Sequence, residues 1–442
     1  MILRSSVSRC WGLVTLIVVL LLTTACSNPQ VAASEVVQSS QPRQTSSDVD
    51  RADLDALVAG NSAFAFDLYQ VLRTDTDDNL FYSPYSVSLA LAMTYAGARA
   101  TTAQQMADTL RFTLPPDRLH PAFNALDLDL TGRGVAEAPS VPETQEPTRF
   151  QLHLANAIWG QSGYSFQPEF LDVLARYYGA GLRTLDFQNA PEAARGTINE
   201  WVSEQTEERI QDLLPPDAIH ALTRLVLTNA IYFNAGWIYP FEEYATEEEL
   251  FTLLDGSQVT VPMMNQTKRF GYSAGNGYQA VQLPYHNNIA MLIMLPEEGR
   301  FTDFEAALDA QQVQAVVDDL SFSDVKLKMP KFEIEAARFS LRDALTTMGM
   351  PDAFDPDLAD FSGMDGTREL FIDNVIHQAS ITVDEEGTEA AAATAVIVGV
   401  TSAPMEPSTP VEMTIDRPFV FMIRDTTTGT ILFVGRIVNP GR

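Results

Sequence analysis

The segment Asp384-Glu-Glu-Gly-Thr-Glu-Ala-Ala-Ala-Ala-Thr-Ala395 limits the fold more than any other part of the chain. An alanine run ordinarily reads as helix, because alanine is the best helix former. Here Gly387 and Thr388 precede the run, and Val396-Ile-Val398 with Gly399 ends it. The next stretch, Thr401-Ser-Ala-Pro-Met-Glu-Pro-Ser-Thr-Pro410, holds three prolines and forms no regular element. With a period of two, Thr388, Ala390, Ala392, Thr394 and Val396 share one face, and Glu389 with Ala391, Ala393 and Ala395 share the other. The segment therefore suits a strand that slides between existing neighbours, its small uncharged face inward and Glu389 towards solvent.

The rest of the chain reads as mixed. Helical spacing comes early, in Leu54, Leu57, Val58, Phe64, Phe66, Leu68 and Leu72, and Thr101 to Gln105 carries Thr-x-x-Gln pairs suited to a capping box. Strand-like stretches follow at Phe150–Ala157, Arg224–Phe233, Ala290–Leu295, Val325–Met329, Phe419–Ile423 and Ile431–Val438, the last two joined as a hairpin at Asp425 to Gly429. Residues 132–148 form a Pro-rich polar insert expected to be an exposed loop. Early helices and late strands make the class α+β. The 442 residues show no internal repeat and no second linker after residue 50, so one large domain over 51–442 is expected.

The first segment is an address. Arg4 and Arg9 precede an apolar run of 12 residues, Trp11 to Leu22, followed by Thr23-Thr24-Ala25 and Cys26. This is a secretory signal over 1–25, too short for a typical membrane span. A cysteine directly after small residues resembles a bacterial lipoprotein signal, which implies lipidation of Cys26 and a lipid anchor in a membrane. The usual leucine three places before the cysteine is Thr23 here, with Leu22 one place earlier. The alternative is ordinary cleavage and secretion. Residues 26–50, rich in Ser, Gln and Pro, read as the anchor and a flexible tether. Only Cys10 and Cys26 are present, which excludes a disulfide framework and a cysteine-rich zinc site.

Charge excludes further classes. The chain carries a net −30, and removal of residues 1–25 takes away two arginines and no acid, leaving −32. No basic stripe exists to bind nucleic acid. Gly271-Tyr-Ser273-Ala-Gly275 fits the hydrolase nucleophile pattern G-x-S-x-G, but Asn276-Gly277 follows and signals a turn where a helix is needed. An exported hydrolase using Ser273 or Ser362 with a histidine is the enzymatic alternative. No metal centre or cofactor is expected.

Several motifs now join the alanine run. Asp384–Ala395 resembles the hinge of a serpin reactive loop. Asn79-Leu-Phe-Tyr-Ser83-Pro84-Tyr-Ser86, Asn229-Ala-Ile-Tyr-Phe-Asn-Ala-Gly-Trp237 with Pro240-Phe241, Val261-Pro-Met-Met264, Leu283-Pro284-Tyr285, Arg417-Pro-Phe-Val-Phe421 and Phe433-Val-Gly-Arg-Ile-Val-Asn439-Pro440 resemble further serpin segments, in family order. The resemblance implies the serpin fold: a large central β-sheet, further sheets, a cluster of helices and an exposed reactive loop, here about 385–416.

It also implies a mechanism. Serpins are suicide inhibitors: a serine protease, or a cysteine protease, attacks the loop, and the freed hinge enters the main sheet as a new strand before the acyl-enzyme hydrolyses. By this likeness Glu385, Gly387, Thr388, Ala390, Ala392 and Thr394 form the hinge, Gly387 as pivot and Thr388 as the first residue to enter. Ser83, Ser86, Asn229 and His377 match positions that gate sheet opening, where a satisfied buried polar cluster is the plain reading. Trp237 and Glu385 match the top of the sheet, and for Trp237 a core role is the alternative.

The family spacing gives Thr401–Ser402 as the scissile bond, with Val400 and Met405 as alternatives. No Lys or Arg occurs from Gly387 to Asp416, which argues against a trypsin-like target and favours an elastase- or subtilisin-like one. His120–Leu130 carries two Asp and no cation, against a heparin-like cofactor. A monomer is expected. A non-inhibitory serpin, acting as a carrier or chaperone, is the alternative, though such members typically carry bulky or charged hinges.

Overall fold

The computed structural model describes residues 34–45, 49–133, 151–388 and 409–441. Ala390, Ala392, Thr394, Val400, Thr401, Ser402, Met405, Cys26 and residues 1–25, expected as a signal, lie outside the described residues, as does most of the expected 132–148 loop.

The described elements run in chain order as β1 (Glu35–Val37), α1 (Arg51–Asp75), β2 (Leu80–Tyr82), α2 (Pro84–Tyr95), α3 (Ala100–Thr109), α4 (Pro116–Gly132), β3 (Gln151–Gln161), α5 (Pro168–Val173), β4 (Leu182–Leu185), α6 (Pro191–Gln205), β5 (Leu225–Gly236), β6 (Glu247–Thr252), β7 (Gln258–Gly275), β8 (Tyr278–Pro284), β9 (Ile289–Pro296), α7 (Phe301–Ala307), α8 (Ala310–Asp318), β10 (Ser321–Pro330), β11 (Phe332–Ser340), α9 (Arg342–Met348), α10 (Ser362–Asp365), β12 (Ile372–Val383), β13 (Gly387–Thr388), β14 (Val411–Thr414), β15 (Phe419–Asp425) and β16 (Ile431–Ile437). One sheet has seven strands in the order β1-β4-β3-β5-β13-β12-β11. The other has nine, β14-β10-β7-β8-β9-β15-β16-β2 with β6 beside β7. Each of the six strand-like stretches lies within or largely overlaps an observed strand.

The central strand β5 is buried along nearly its whole length, so its sequence LVLTNAIYFNAG is apolar without alternation, as expected of a strand covered on both faces. Ser83 starts α2: its hydroxyl accepts from the Ser86 amide and Pro84 fills the first helical position. The capping box does not form. Helix α3 begins one residue earlier, at Ala100, its N-cap is Arg99 without a side-chain cap, and Thr102 instead accepts from the Asp360 amide. The G-x-S-x-G stretch closes β7 and leads into β8 as a hairpin. Ser273 donates to Asp319 at 2.8 Å, and Ser362 donates to Asp360 at 2.6 Å; neither hydroxyl bonds a histidine among the described residues.

Residues 34–45 correct the expectation of a flexible tether. Glu35–Val37 pairs antiparallel with β4 and becomes the outer strand of the seven-stranded sheet. Further on, Arg43 bonds Asn124 at 2.9 Å and Asp127 at 2.5 Å on α4, Asn124 donates to the Gln44 carbonyl, and the Gln44 amide donates to the Arg176 carbonyl. Two glycines make room. A Cβ at Gly181 would meet Val36 and Gln38 at 2.9 Å, and one at Gly179 would meet Arg43 at 2.8 Å. Composition reads this segment as solvated because its partners are backbone groups and the side chains of Asn124, Asp127 and Asp172, all far away in sequence.

Candidate functional site

Strands β5 and β12 form a fork. They pair directly and in parallel from Leu225 to Ile231 and from Ile372 to Ala379. Higher up, the two-residue strand β13 stands between them: Gly387 and Thr388 pair with Gly236 and Ala235 on β5, and Thr388 pairs with Val383 on β12. The sheet therefore already holds the first two residues of an additional strand, and Thr388 is buried. Its hydroxyl bonds the Tyr285 hydroxyl at 2.6 Å. The chain joins the nine-stranded sheet at Val411, where β14 runs parallel to β10.

A tight turn reverses the chain from β12 into β13. The Asp384 carboxylate accepts from the Glu386 and Gly387 amides, and the Asp384 amide donates to the Gly387 carbonyl. Position 387 requires glycine by contact: a Cβ there would lie 2.3 Å from the Ala235 carbonyl oxygen and 2.8 Å from the Gly236 Cα, both backbone atoms. Glu385 is buried beneath the turn. Burial favours its neutral acid, yet bonds from Lys331 (2.7 Å) and Thr246 (2.7 Å) prevail and hold the carboxyl below its usual range. Trp237 stacks on Tyr285 with ring centroids 4.1 Å apart and donates its indole N–H to the Asp384 carbonyl at 3.0 Å. Trp237 is thus both a packed core residue and a support of the turn.

Below the fork lies a closed polar cluster. Ser83, Ser86, Asn229 and His377 are all fully buried. His377 sits opposite Asn229 across the β5–β12 pair, and its Nδ1 bonds the Asn229 Oδ1. Its Nε2 accepts from the Ser83 amide at 3.1 Å. That pattern fixes a neutral imidazole with the proton on Nδ1, since an acceptor must be bare. Burial pushes the His377 pKa down to about 3, with a bond to Asn229 opposing. Asn229 Nδ2 donates to Ser86 Oγ (2.7 Å) and to Asn156 Oδ1 (2.6 Å), and Ser86 Oγ donates to the same Asn156 oxygen at 2.9 Å. The cluster joins α2, β3, β5 and β12 across the seam between the last two. Separating β5 from β12 breaks it.

Sequence reading grouped Ser83, Ser86, Asn229 and His377 as the gate, set Trp237 and Glu385 at the top of the sheet and gave Gly387 and Thr388 as hinge; the structure bonds the first four to one another and gathers the other four around the turn from β12 into β13. It missed Asn156, Lys331, Thr246 and the role of Tyr285. The amide of Asn156 offers one signal, an amide amid the apolar run Ala155 to Trp159. Lys331 and Thr246 carry none, because their link to Glu385 spans 54 and 139 residues.

A sequence profile described as serpin (serine protease inhibitor) matches residues 59–440, most of the chain. The chain belongs to the serpin family. Relatives agree. A serpin-like protein of Thermococcus kodakarensis is 41% identical over 380 residues, covering 86% of this chain and 84% of its own. Leukocyte elastase inhibitor A of Rattus norvegicus is 37% identical over 400 residues, covering 88% and 100%. The thermophilic serpin tengpin, solved in its native state, superposes with a TM-score of 0.76 at 26% identity over 92% of this chain and 99% of its own. The molecule has the serpin fold, and the fork between β5 and β12 holds Gly387 and Thr388.

Proposed function

We propose that this serpin is a covalent, conformational-trapping inhibitor of serine proteases with elastase- or subtilisin-like pockets, and of cysteine proteases as a secondary class. The observation that carries the reading is the seat of Thr388 between Ala235 and Val383, with the β5–β12 fork open above a pair that is still closed. The protease nucleophile attacks the Thr401 carbonyl, the bond to Ser402 breaks, the amine leaves with a proton, and the acyl group remains on the enzyme. The freed strand then continues from Thr388 down the fork.

The energy is adequate. Roughly a dozen inserted residues add about as many backbone hydrogen bonds, and at ~0.5–1.5 kcal/mol net each the gain is on the order of 10 kcal/mol. That is comparable with the stability of an ordinary domain. The small, uncharged inward face of the hinge (Thr388, Ala390, Ala392, Thr394) supports the reading, as does the absence of Lys and Arg through Asp416 for the choice of pocket. The rat relative bears the name of an elastase inhibitor.

Thr388→Arg tests insertion. It puts a cation into a buried site facing Tyr285, so the variant should be cleaved like a substrate, with at least a tenfold loss of denaturant-stable complex. Undiminished complex rejects insertion from this hinge. Cleavage of the wild type without any complex, across elastase-, subtilisin-, chymotrypsin- and papain-like proteases, favours a non-inhibitory serpin. We place the protein at the cell envelope through a lipid on Cys26; Cys26→Ser should release it in soluble form, and unchanged membrane association rejects the anchor.

A further inference from the structure

A cleft of about 670 Å³ opens between the end of α2, the starts of α3 and α4, and α5 with the turn after it. None of its lining residues belongs to the fork, the turn at Asp384 or the cluster around His377. The volume suits a small molecule. Short side chains such as Ala98 and Ala103 leave the space, and aromatic rings line the rest. Tyr95 and Tyr177 both stand beside His120, each with its centroid 6.4 Å from the imidazole, and Tyr177 lies nearly parallel to it at 19°. Helix α5 continues into a π-helical turn, Leu174–Tyr178, a geometry that recurs at functional sites. It brings two successive side chains to one ring, because Tyr178 also meets His120, edge to face at 5.8 Å.

His120 is only 3% exposed. Its Nδ1 bonds the Tyr178 hydroxyl at 2.7 Å, and Tyr178 does not line the cleft. Its Nε2 has no partner among the described residues, yet it is not sealed in the core like the orphaned polar atoms of Asn61, Asn234 and Gln266. Nε2 is therefore the polar atom that His120 turns to the cleft. Burial keeps the ring neutral, with its pKa down to about 4, so Nε2 donates or accepts according to its tautomer.

The rim carries both signs. Arg99 donates to the Ala96 and Ala98 carbonyls, and Arg176 lies over the Tyr177 ring at 5.5 Å; neither pairs with a carboxylate among the described residues. Glu169 pairs with no cation among the described residues, Asp172 accepts from Ser39, and Asp117 faces the charge of Arg118 without an ion pair. An anion entering here meets three carboxylates on a protein of net −30, and a cation meets two guanidiniums. A ligand with one charge of each sign is matched by both sets, its carboxylate suited to the planar guanidinium.

We infer that this cleft binds a free aromatic amino acid, its ring against Tyr95, Tyr177 and His120, its carboxylate on Arg99 and Arg176, and its ammonium on Glu169. The inference goes beyond the inhibitory reading and does not depend on it.

Three probes share one indole ring and differ in charge: L-tryptophan, indole-3-propionate, which lacks the ammonium, and tryptamine, which lacks the carboxylate. Each is titrated into the full protein by calorimetry. L-Tryptophan should bind about tenfold more tightly than either of the others, the effect of one charge-assisted bond. Glu169 is exposed, so Glu169→Gln spares the fold; it should weaken tryptophan to the level of indole-3-propionate without weakening that probe. Arg99→Gln with Arg176→Gln, also exposed, should weaken tryptophan to the level of tryptamine. Tyr177→Ala should weaken all three. No binding of tryptophan, equal binding of the three probes, or rim variants that leave their order unchanged overturns the site.

Discussion

Acidification should open the β5–β12 seam, and His377 is the group that sets the scale. Its imidazole is neutral in the fold, with Nε2 accepting from Ser83 and Nδ1 donating to Asn229. Burial lowers its pKa from 6.5 to about 3. The folded value lies below the unfolded one, so the unfolded or opened state binds more protons between these limits. Stability is therefore full above pH 6.5 and falls as the pH drops through the window from 6.5 towards 3. At pH 5 the loss from this one group amounts to about 2 kcal/mol, at ~1.4 kcal/mol per pH unit below the unfolded value. Protonation of Nε2 also sets a donor against the Ser83 amide. His120, buried against Tyr178 and lowered to about 4, titrates in the same direction, so the wild type alone does not isolate His377. The comparison is with His377→Gln, which removes the titration and leaves His120 in place. Urea unfolding followed by tryptophan fluorescence at pH 7.5 and 5.0 gives the change in each protein. The wild type should lose about 2 kcal/mol more than the variant. Equal losses would show that the imidazole is not held neutral by this cluster and that its protonation does not open the seam.

Other perturbations reach the remaining parts of the site. Gly387→Ala sets a Cβ against the Ala235 carbonyl, so β13 should leave the sheet, and limited proteolysis near Thr388 should speed up severalfold; unchanged protection contradicts the seat. Arg43→Ala removes the ion pair with Asp127 and the bond to Asn124, two partly buried links, and should cost about 1–3 kcal/mol of thermal or urea stability. No change there would mean that residues 34–45 are loosely held.

Much of this fold is legible in the sequence because its signals are local. Ser83-Pro84 announces a helix start, and the unbroken apolar run of β5 announces a strand covered on both faces. The alanine run with its period of two points to a strand with small inward side chains, and Thr388 is found buried between two strands. What escapes is non-local. Strand β7 carries Pro262 and several polar residues, so its eighteen residues lack the alternation that marks a strand. Strand β1 is three residues long, and its docking and that of Arg43 depend on gaps at Gly181 and Gly179 that no pattern in 26–50 reveals. The hinge also goes further than its sequence suggests. Thr388 reads as the first residue to enter after cleavage, whereas here it has already entered, held by Tyr285 and by a turn that Asp384 caps. The network around Glu385 joins three distant segments, and charge pairing at that range leaves no periodic trace.

The proposed function requires that cleavage of this loop trap the protease. The most direct test is incubation of the full protein with an elastase-like protease, followed by denaturing electrophoresis and mass spectrometry of the products. Trapping gives a denaturant-stable species with the mass of the protease plus the serpin up to the cleavage site, and a released fragment that begins at Ser402, or at a residue within a few places of it. Complete conversion to two serpin fragments, with free and fully active protease and no joined species, would contradict it.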